Sequence, residues 1–189
     1  MLHLALVHFP TIDKNGRTVT TSITNLDIHD ICRAGLTYGL AAVWYVHPYS
    51  AQQAFLKSVV GHWQEGWGGE YNPNRKEALS LARGALDLNE VGAHISRVEG
   101  NRVRFVGTSA QRWPKSIGYA ALRKDIKGHD RHSTCLVFGT GWGIHPELME
   151  QFDDVLEPIE GMGDWNHLSV RSAVSIILDR LLARGLTPP

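Results

Sequence analysis

Short apolar runs alternate along the chain with stretches whose apolar residues recur at helical spacing. Runs typical of buried strands cover residues 2–7, 40–46, 102–107 and 134–138. Helical spacing covers residues 25–38, 51–63 and 170–181, and it is clearest in the last of these stretches. Such alternation is typical of an α/β fold in which helices flank a mainly parallel sheet. The sequence therefore predicts this fold class.

The region around residues 64–80 is predicted as a loop followed by a helix. Its segment GWGGEYNPN is rich in glycine and aromatic residues, which favours irregular structure. Asn74 can cap the following helix, because Glu77 stands three positions on, where a capping-box partner belongs. No linker or internal repeat interrupts the chain, so residues 1–189 are predicted to form a single domain.

Composition narrows the class of protein only a little. Apolar residues make up 43% of the chain and charged residues 20%, which is ordinary for a globular protein. The formal net charge is +0, so any surface that binds nucleic acid has to be a local patch. No apolar run is long enough to cross a bilayer, and the N-terminus lacks the basic start of a signal peptide. We therefore expect a cytoplasmic protein with no membrane association.

The positions of the cysteines and histidines argue against a disulfide and against a zinc site. Cys32 and Cys135 each stand in an apolar stretch, so free buried thiols are expected rather than a disulfide. The ten histidines do not show the spacing of a zinc site. We therefore expect no metal.

Two segments near predicted strand ends are candidates for ligand contact. Residues 139–143, GTGWG, follow an apolar strand, and glycines there let the backbone approach a ligand closely. The same residues also fit a tight turn that requires positive φ. Residues 157–173, EPIEGMGDWNHLSVRSA, lead into the apolar C-terminal helix. They fit either a segment that wraps a small ligand or a plain loop that ends in an Asn or Ser helix cap.

Three stretches together resemble the motifs of SPOUT (α/β-knot, SpoU/TrmD-like) RNA methyltransferases. TTSITNLDIHDICRAGLTYG is similar to the first motif, in which an asparagine precedes an arginine-bearing helix that ends at a glycine. LVFGTGWGIHPELME is similar to the second motif, and LEPIEGMGDWNHLSVRSAVSIILDRLL is similar to the third. Their order and spacing agree with the family, and the resemblance covers most of the chain. It is strongest to a small bacterial branch of these proteins.

The resemblance implies a fold and a cofactor that composition does not. It implies a C-terminal trefoil knot, a rare exception to the rule against knotted chains. It also implies S-adenosyl-L-methionine as the cofactor, RNA as the substrate and a homodimer as the working form. Carried over by motif, the residues expected to bind the cofactor are Thr108, Gly139, Gly141, Ile159, Gly161, Leu168 and Val170.

The third motif departs from that of the SpoU branch, which commonly has asparagine and then serine. The corresponding positions here are Ser169 and Arg171, so the identity of the methylated atom stays open. Arg33 keeps the arginine of the first motif and is expected to contact the phosphate or ribose of the substrate. Arg171 is a second candidate for that role, although its position also fits a solvated helix face.

A methyl acceptor that is a hydroxyl or ring nitrogen loses a proton, so we looked for a general base. Asp164 lies in the loop that the resemblance places above the methyl group, and it is the first candidate. Asp30 and His29, from the first motif, are alternatives. All three also have ordinary interpretations, as turn or helix residues.

Two regions are candidates for contact with RNA. Residues 112–131 contain six cations against two carboxylates, although such a run is usually a solvated helix face. The other region combines aromatic rings with cations, which can stack bases and hold phosphates; it consists of Trp63, Trp67, Tyr71, Arg75 and Lys76. Of these, Trp63 is expected to pack in the core, and Trp67 to face the substrate.

The predicted function is S-adenosylmethionine-dependent methylation of a nucleotide of tRNA or rRNA. A noncatalytic knotted protein that binds RNA or assists assembly is the alternative from another class. A generic nucleotide-binding α/β enzyme is a third.

Overall fold

A computed structural model of the chain describes residues 1–128, 132–163 and 165–185. The strands are β1 (Leu2–Val7), β2 (Thr11–Ile12), β3 (Thr18–Val19), β4 (Ala42–Val46), β5 (Ala82–Ala85), β6 (Arg102–Thr108), β7 (Ser116–Ile117), β8 (His132–Gly139) and β9 (Asp154–Leu156). The helices are α1 (Asn25–Thr37), α2 (Ser50–Gln64), α3 (Trp67–Tyr71), α4 (Pro73–Leu79), α5 (Leu88–Glu99), α6 (Tyr119–Gly128), α7 (Pro146–Met149) and α8 (Val170–Leu182).

Seven of the strands form one sheet in the order β5-β4-β1-β8-β6-β9-β7. Every pairing in it is parallel. The central strands are buried along nearly their whole length, because helices cover both faces of the sheet. Strands of this kind need near-continuous apolar sequence, which LHLALV and AVWYV provide. The predicted fold class, a mainly parallel sheet flanked by helices, is confirmed.

The two faces of the sheet pack into separate cores. On one face, Leu4 and Leu6 of β1 lie in a core shared with α1, α4, α6 and α8. On the other face, Ala5 and Val7 lie in a core to which α5 contributes Val91 and Ile95. This division follows from the alternation of side chains along a strand. It places α1 and α8 in the same helical layer.

A small antiparallel hairpin of β2 and β3 stands apart from the main sheet. Its turn is closed by Asp13, whose carboxylate accepts hydrogen bonds from the amides of Asn15 (2.7 Å) and Arg17 (2.9 Å). A single bridge joins Thr11 to Ile144, which follows the glycine-rich turn after β8. The hairpin is therefore fastened to that turn.

The structure differs from the sequence prediction between residues 66 and 79. Within the segment predicted as a loop, residues 67–71 form the short helix α3. The cap of α4 is Asn72, whose side chain accepts a hydrogen bond from the amide of Arg75, so the assignment of the cap to Asn74 was wrong. The reason is Pro73: it suits the first position of a helix, which moves the cap one residue before it.

Both cysteines are free and buried, as predicted. Burial raises the pKa of the Cys32 thiol to about 11 and raises the pKa of Cys135 still further. No helix in the described part of the chain is both long enough and apolar enough to cross a membrane.

Stability is expected to depend on the contact of α8 with the sheet. Leu178 is fully buried in this core, so Leu178→Ala should leave a cavity and lower the free energy of unfolding by about 2–5 kcal/mol. Val98, which is 67% exposed, provides the control: Val98→Ala should change it by less than about 0.5 kcal/mol. Urea unfolding followed by circular dichroism measures both. Equal effects of the two substitutions would contradict this packing.

Candidate active site

The carboxyl ends of β8, β6 and β9 lie side by side, because these strands are neighbours in a parallel sheet. Three connections leave from this edge: residues 109–112 after β6, residues 139–143 at the end of β8, and residues 157–169 after β9. We call the second the glycine loop and the third the C-terminal loop. Ligands of open α/β sheets bind at this edge, outside the carboxyl ends of the strands.

The C-terminal loop runs back across the ends of the neighbouring strands. Near its start, Glu160 forms an ion pair with Arg112, in the connection after β6. Further on, the side-chain amide of Asn166 donates a hydrogen bond of 3.1 Å to the carbonyl of Ala110. The next residue, His167, contacts Trp142 of the glycine loop, with ring centroids 5.8 Å apart. The loop therefore passes over β6 and then reaches the end of β8.

The end of the C-terminal loop is fastened to α1. Ser169 caps α8 by accepting a hydrogen bond of 3.3 Å from the amide of Ser172, so the expected Ser cap is confirmed. Arg171 forms a 2.8 Å hydrogen bond to a carboxylate oxygen of Asp30 and lies 3.5 Å from Asp27. Arg171 is thus half-buried and paired rather than part of a freely solvated helix face.

The glycine loop needs its glycines for two different reasons. At Gly139 a Cβ atom would lie 2.6 Å from the side chain of Ile144 and 2.7 Å from its backbone nitrogen. Gly141 and Gly143 have φ of 61° and 119°, which L residues rarely adopt. Hydrogen bonds between Ile12 of the hairpin and Trp142 and Gly143, both 3.0 Å, hold the loop in place. The tight-turn interpretation is therefore confirmed, and it does not exclude ligand binding.

A chain of buried polar groups supports the glycine loop from beneath. The hydroxyl of Thr140 donates to the carbonyl of Val7 (3.2 Å) and forms a short hydrogen bond with the hydroxyl of Thr21. Thr21 in turn contacts Nδ1 of His8 (3.1 Å), and its carbonyl lies 3.1 Å from Nε2 of His47. The conformation of the glycine loop thus depends on residues at the ends of β1 and β4, which sequence reasoning missed.

His8 and His47, the two histidines that contact Thr21, are held in the neutral form. His8 is fully buried, and among the described residues its Nε2 atom has no hydrogen-bond partner. Burial, with the nearby His47, lowers the pKa of His8 to about 4. Burial also lowers the pKa of His47, although a hydrogen bond to the Thr21 carbonyl opposes this shift. Protonation of either ring would put a charge beneath the glycine loop.

The other residues expected to bind the cofactor lie around the same edge of the sheet. Thr108 ends β6, and its hydroxyl donates a 3.0 Å hydrogen bond to the carbonyl of Val137 in β8. Ile159 and Val170 pack against the core at the two ends of the C-terminal loop. Between them Gly161 is exposed, and Leu168 is 46% exposed. Asp164, the first candidate for the general base, lies outside the described residues.

A separate cleft of about 760 Å³ lies between α1, α2 and the start of α4. It brings Arg33, His29 and Asp30 of the first motif together with Trp63 and Arg75. The guanidinium carbon of Arg75 lies 4.8 Å from the centroid of the Trp63 ring, and His29 contacts the same ring edge-on at 5.4 Å. Arg33 is exposed and makes no ion pair with any described residue.

Burial and the proximity of Arg75 lower the pKa of His29, so its ring is neutral at pH 7. Trp63 lies at the border of the core and lines the cleft, so the expectation that it packs in the core holds only in part. Motif spacing alone does not predict that the first-motif residues line one cleft with Trp63 and Arg75.

The basic stretch is partly occupied by internal contacts. Arg112 pairs with Glu160, and the ammonium group of Lys115 donates to the backbone carbonyls of Glu150 and Phe152. Lys124 and Lys127 are exposed, whereas Arg131 lies outside the described residues. Across residues 1–128, 132–163 and 165–185 there is no group of three or more side chains that could hold a metal ion.

Comparison with known proteins identifies a family that matches nearly the whole chain. The family model of SAM-dependent RNA methyltransferases matches residues 1–183. An uncharacterized protein of Aquifex aeolicus is 45% identical over 182 residues, which cover 96% of this chain and 88% of that protein. A tRNA (guanine-N(1)-)-methyltransferase of Oleidesulfovibrio alaskensis is 38% identical over 185 residues, which cover 98% of this chain. The matched part spans only 43% of that enzyme's length.

Among solved structures, the TrmH/SpoU tRNA modifying enzyme of A. aeolicus superimposes with a TM-score of 0.54. The match covers 96% of this chain and 73% of that enzyme, at 16% sequence identity, so it concerns the fold alone. The parallel sheet of this chain, with the loops at its carboxyl edge, is thus similar in fold to that of the TrmH/SpoU enzyme. The chain belongs to the family of SAM-dependent RNA methyltransferases, and the resemblance inferred from its three motifs is confirmed.

The buried histidine makes stability depend on pH. An unfolded His8 binds a proton below about pH 6.5, whereas the folded protein excludes it until about pH 4. The contribution of His8 to stability is therefore fully present above pH 6.5. It should be lost as the pH falls from 6.5 to 4, which lowers the free energy of unfolding by about 3 kcal/mol from this residue alone. His8→Asn, which keeps a polar atom near Thr21, should flatten this decline in urea unfolding. The exposed His62 gives the control His62→Asn, and an unchanged decline in His8→Asn would contradict the assignment.

Proposed function

We propose that this chain transfers a methyl group from S-adenosyl-L-methionine to a nucleotide of tRNA or rRNA. The cofactor is held across the ends of β6, β8 and β9, between the glycine loop and the C-terminal loop. The observation that supports this most is the path of the C-terminal loop, which contacts Ala110 after β6 and Trp142 after β8. In this proposal the chain acts in the cytoplasm as a single domain and as a homodimer, with the trefoil knot that the SPOUT resemblance implies.

The adenosine moiety is neutral, so backbone groups and apolar side chains are suited to bind it. In this proposal the strand ends and the glycine loop contribute Thr108, Gly139 and Gly141. The C-terminal loop and the start of α8 contribute Ile159, Gly161, Leu168 and Val170. The partial exposure of Leu168 supports this assignment, because an apolar side chain there can cover the flat face of adenine. Bound cofactor supplies the activated methyl group, and the protein's task is to position the acceptor in line with it.

Arg33 is proposed to hold the RNA, and Arg171 is proposed to fasten the C-terminal loop to α1. Arg33 is free to contact a phosphate or ribose, because it is exposed and makes no ion pair with a described residue. Arg171 is engaged with Asp30 and Asp27, so its role in the proposal is to join the C-terminal loop to α1 and to support Arg33.

Among the candidates for the general base, Asp164 keeps the place that the motif implies. Of the two alternatives, His29 is better suited than Asp30. The carboxylate of Asp30 is engaged by Arg171, which donates a hydrogen bond to it. The pKa of His29 is lowered by burial, so its ring is neutral and able to accept a proton at pH 7, and it lines the same cleft as Arg33.

Transfer RNA is the first substrate to test. The relative from O. alaskensis is named as a tRNA methyltransferase, but this chain spans less than half of its length. Its named activity, at N1 of guanine, can therefore belong to the part that this chain does not match. We propose tRNA as the substrate class and leave the modified atom to mass spectrometry of tRNA and rRNA from a deletion strain.

Leu168→Arg tests the position of the cofactor. An arginine there fits without disturbing the core, but its longer side chain should fill the space that the adenine ring would occupy, and its charge resists burial beneath the cofactor, so binding of S-adenosylmethionine in calorimetry should be lost. Leu86, of the same type and 53% exposed, gives the control Leu86→Arg, which should bind as the wild type does. Wild-type affinity in Leu168→Arg would remove the C-terminal loop from the cofactor site. A folded wild-type protein that fails to bind the cofactor would contradict the function itself.

Arg33→Ala tests the role of the exposed arginine in methyl transfer. Because Arg33 makes no ion pair with a described residue, the substitution should leave unfolding and cofactor binding unchanged. The rate of methyl transfer from radiolabelled cofactor to bulk tRNA should fall by about two orders of magnitude. Arg33→Lys, which keeps the charge but not the planar fork, should recover only part of this loss. Full activity of Arg33→Ala would favour a purely surface role.

A further inference from the structure

Two exposed tryptophans stand at the mouth of the proposed cofactor site. Trp142, in the glycine loop, is 61% exposed, and Trp165, in the C-terminal loop, is 81% exposed. Burying an indole ring removes about 150–250 Å² of surface from water, which stabilises the fold. Two indole rings that stay exposed at one site do not contribute this stabilisation. Exposed apolar groups that cluster in this way mark surfaces that bind a partner.

His167 contacts both tryptophans. Its ring lies 5.8 Å from the Trp142 ring at an interplanar angle of 67°, and 4.9 Å from the Trp165 ring at 63°. Both contacts are inclined rather than stacked, so His167 does not cover the indole faces as a parallel ring would. We call Trp142, Trp165 and His167 the aromatic cluster. Its open faces suit a flat ring that enters from solvent.

Cations stand next to this cluster on the hairpin of β2 and β3. Lys14 and Arg17 lie in its turn, are exposed, and make no ion pair with any described residue. The one carboxylate in the turn, Asp13, accepts hydrogen bonds from backbone amides of Asn15 and Arg17. The hairpin is anchored at Ile12, which is hydrogen-bonded to Trp142 and Gly143. Since a strand rises about 3.3 Å per residue, Lys14 begins roughly 7 Å from that anchor.

We propose that the aromatic cluster and the hairpin cations together bind an unpaired stretch of the RNA substrate. This inference rests on the proposed function and narrows its substrate to RNA with splayed-out bases, as in a loop or a single strand. The indole faces stack on one or two bases, and Lys14 and Arg17 contact the neighbouring phosphates. A continuous duplex is a poor ligand for the same surface, because its bases are already stacked on one another.

The test uses the double variant Trp142→Ala/Trp165→Ala in the full chain. The probe is a fluorescein-labelled single-stranded RNA of mixed sequence, with the matching duplex beside it, and binding is followed by fluorescence anisotropy. We expect the wild type to prefer the single strand and the double variant to bind it roughly tenfold or more weakly. The circular dichroism spectrum should stay as in the wild type.

Three further variants separate stacking, general damage and the effect of the hairpin cations. Trp142→Phe/Trp165→Phe keeps aromatic faces and should recover most of the affinity. Tyr49→Ala removes an aromatic ring that is 60% exposed but belongs neither to the aromatic cluster nor to the hairpin, and it should bind RNA as the wild type does. Lys14→Ala/Arg17→Ala should weaken binding and make it less sensitive to salt, because fewer counterions are released.

Several results would overturn the inference without touching the proposed function. One is unchanged RNA affinity in Trp142→Ala/Trp165→Ala while Arg33→Ala still impairs methyl transfer. Another is a wild-type preference for the duplex. A third is conversion of a dimer into a monomer by the double substitution, seen in sedimentation, which would assign the aromatic cluster to the subunit contact. Failure of the wild type to bind S-adenosylmethionine would instead contradict the proposed function.

Discussion

The order of three strands, β8-β6-β9, constrains the rest of the structure. Because β9 lies on the far side of β6, the chain that leaves it has to cross two strand ends before it can enter the helical layer that holds α1 and α8. The contacts of the C-terminal loop follow that path in chain order, from Arg112 to Ala110, then Trp142 and finally Asp30. A polar loop is thereby laid over the carboxyl edge of a parallel sheet, where ligands of such sheets bind.

The glycine loop is held by contacts from three directions. The hairpin binds it through backbone hydrogen bonds of Ile12, the polar chain of Thr140 and Thr21 supports it from β1, and His167 contacts it from the C-terminal loop. None of these contacts uses a charged side chain. A floor of this kind, held without charged side chains, is suited to a neutral adenosine.

Sequence patterns predicted the strands and helices whose apolar residues pack densely. They missed elements at the edge of the sheet and elements whose structure depends on contacts with other parts of the chain. Strands β1 and β8 are apolar along their length and were predicted within two residues at either end. Strand β5, ARGA, has two exposed central residues and lies at the edge of the sheet, so it carries no strand pattern. Helix α5 was overlooked although its signals were present, since Asp87 caps it and Gly100 ends it with a positive φ. Helix α3 depends on close packing of Gly68 and Gly69 against α2, which no propensity reveals.

The site was predictable in its parts but not in its assembly. Motif order indicated the glycine loop, the C-terminal loop and Arg33. The pairing of Arg171 with Asp30, the support of Thr140 by Thr21 and the attachment of the hairpin join residues more than 100 positions apart, and strand order alone brings them together. The cleft that unites His29 and Arg33 of α1 with Arg75 of α4 depends on how these helices pack against each other, which motif spacing does not reveal.

The burial of both thiols has a practical and a chemical consequence. Cys32 and Cys135 are the chain's two cysteines, and both lie within the core with a raised pKa, so neither presents a thiolate to solvent at neutral pH. The folded protein should therefore resist alkylating and oxidising reagents. A cysteine introduced into the C-terminal loop would be the one reactive thiol, and a spectroscopic label attached there would report the loop's movement without interference from the native residues.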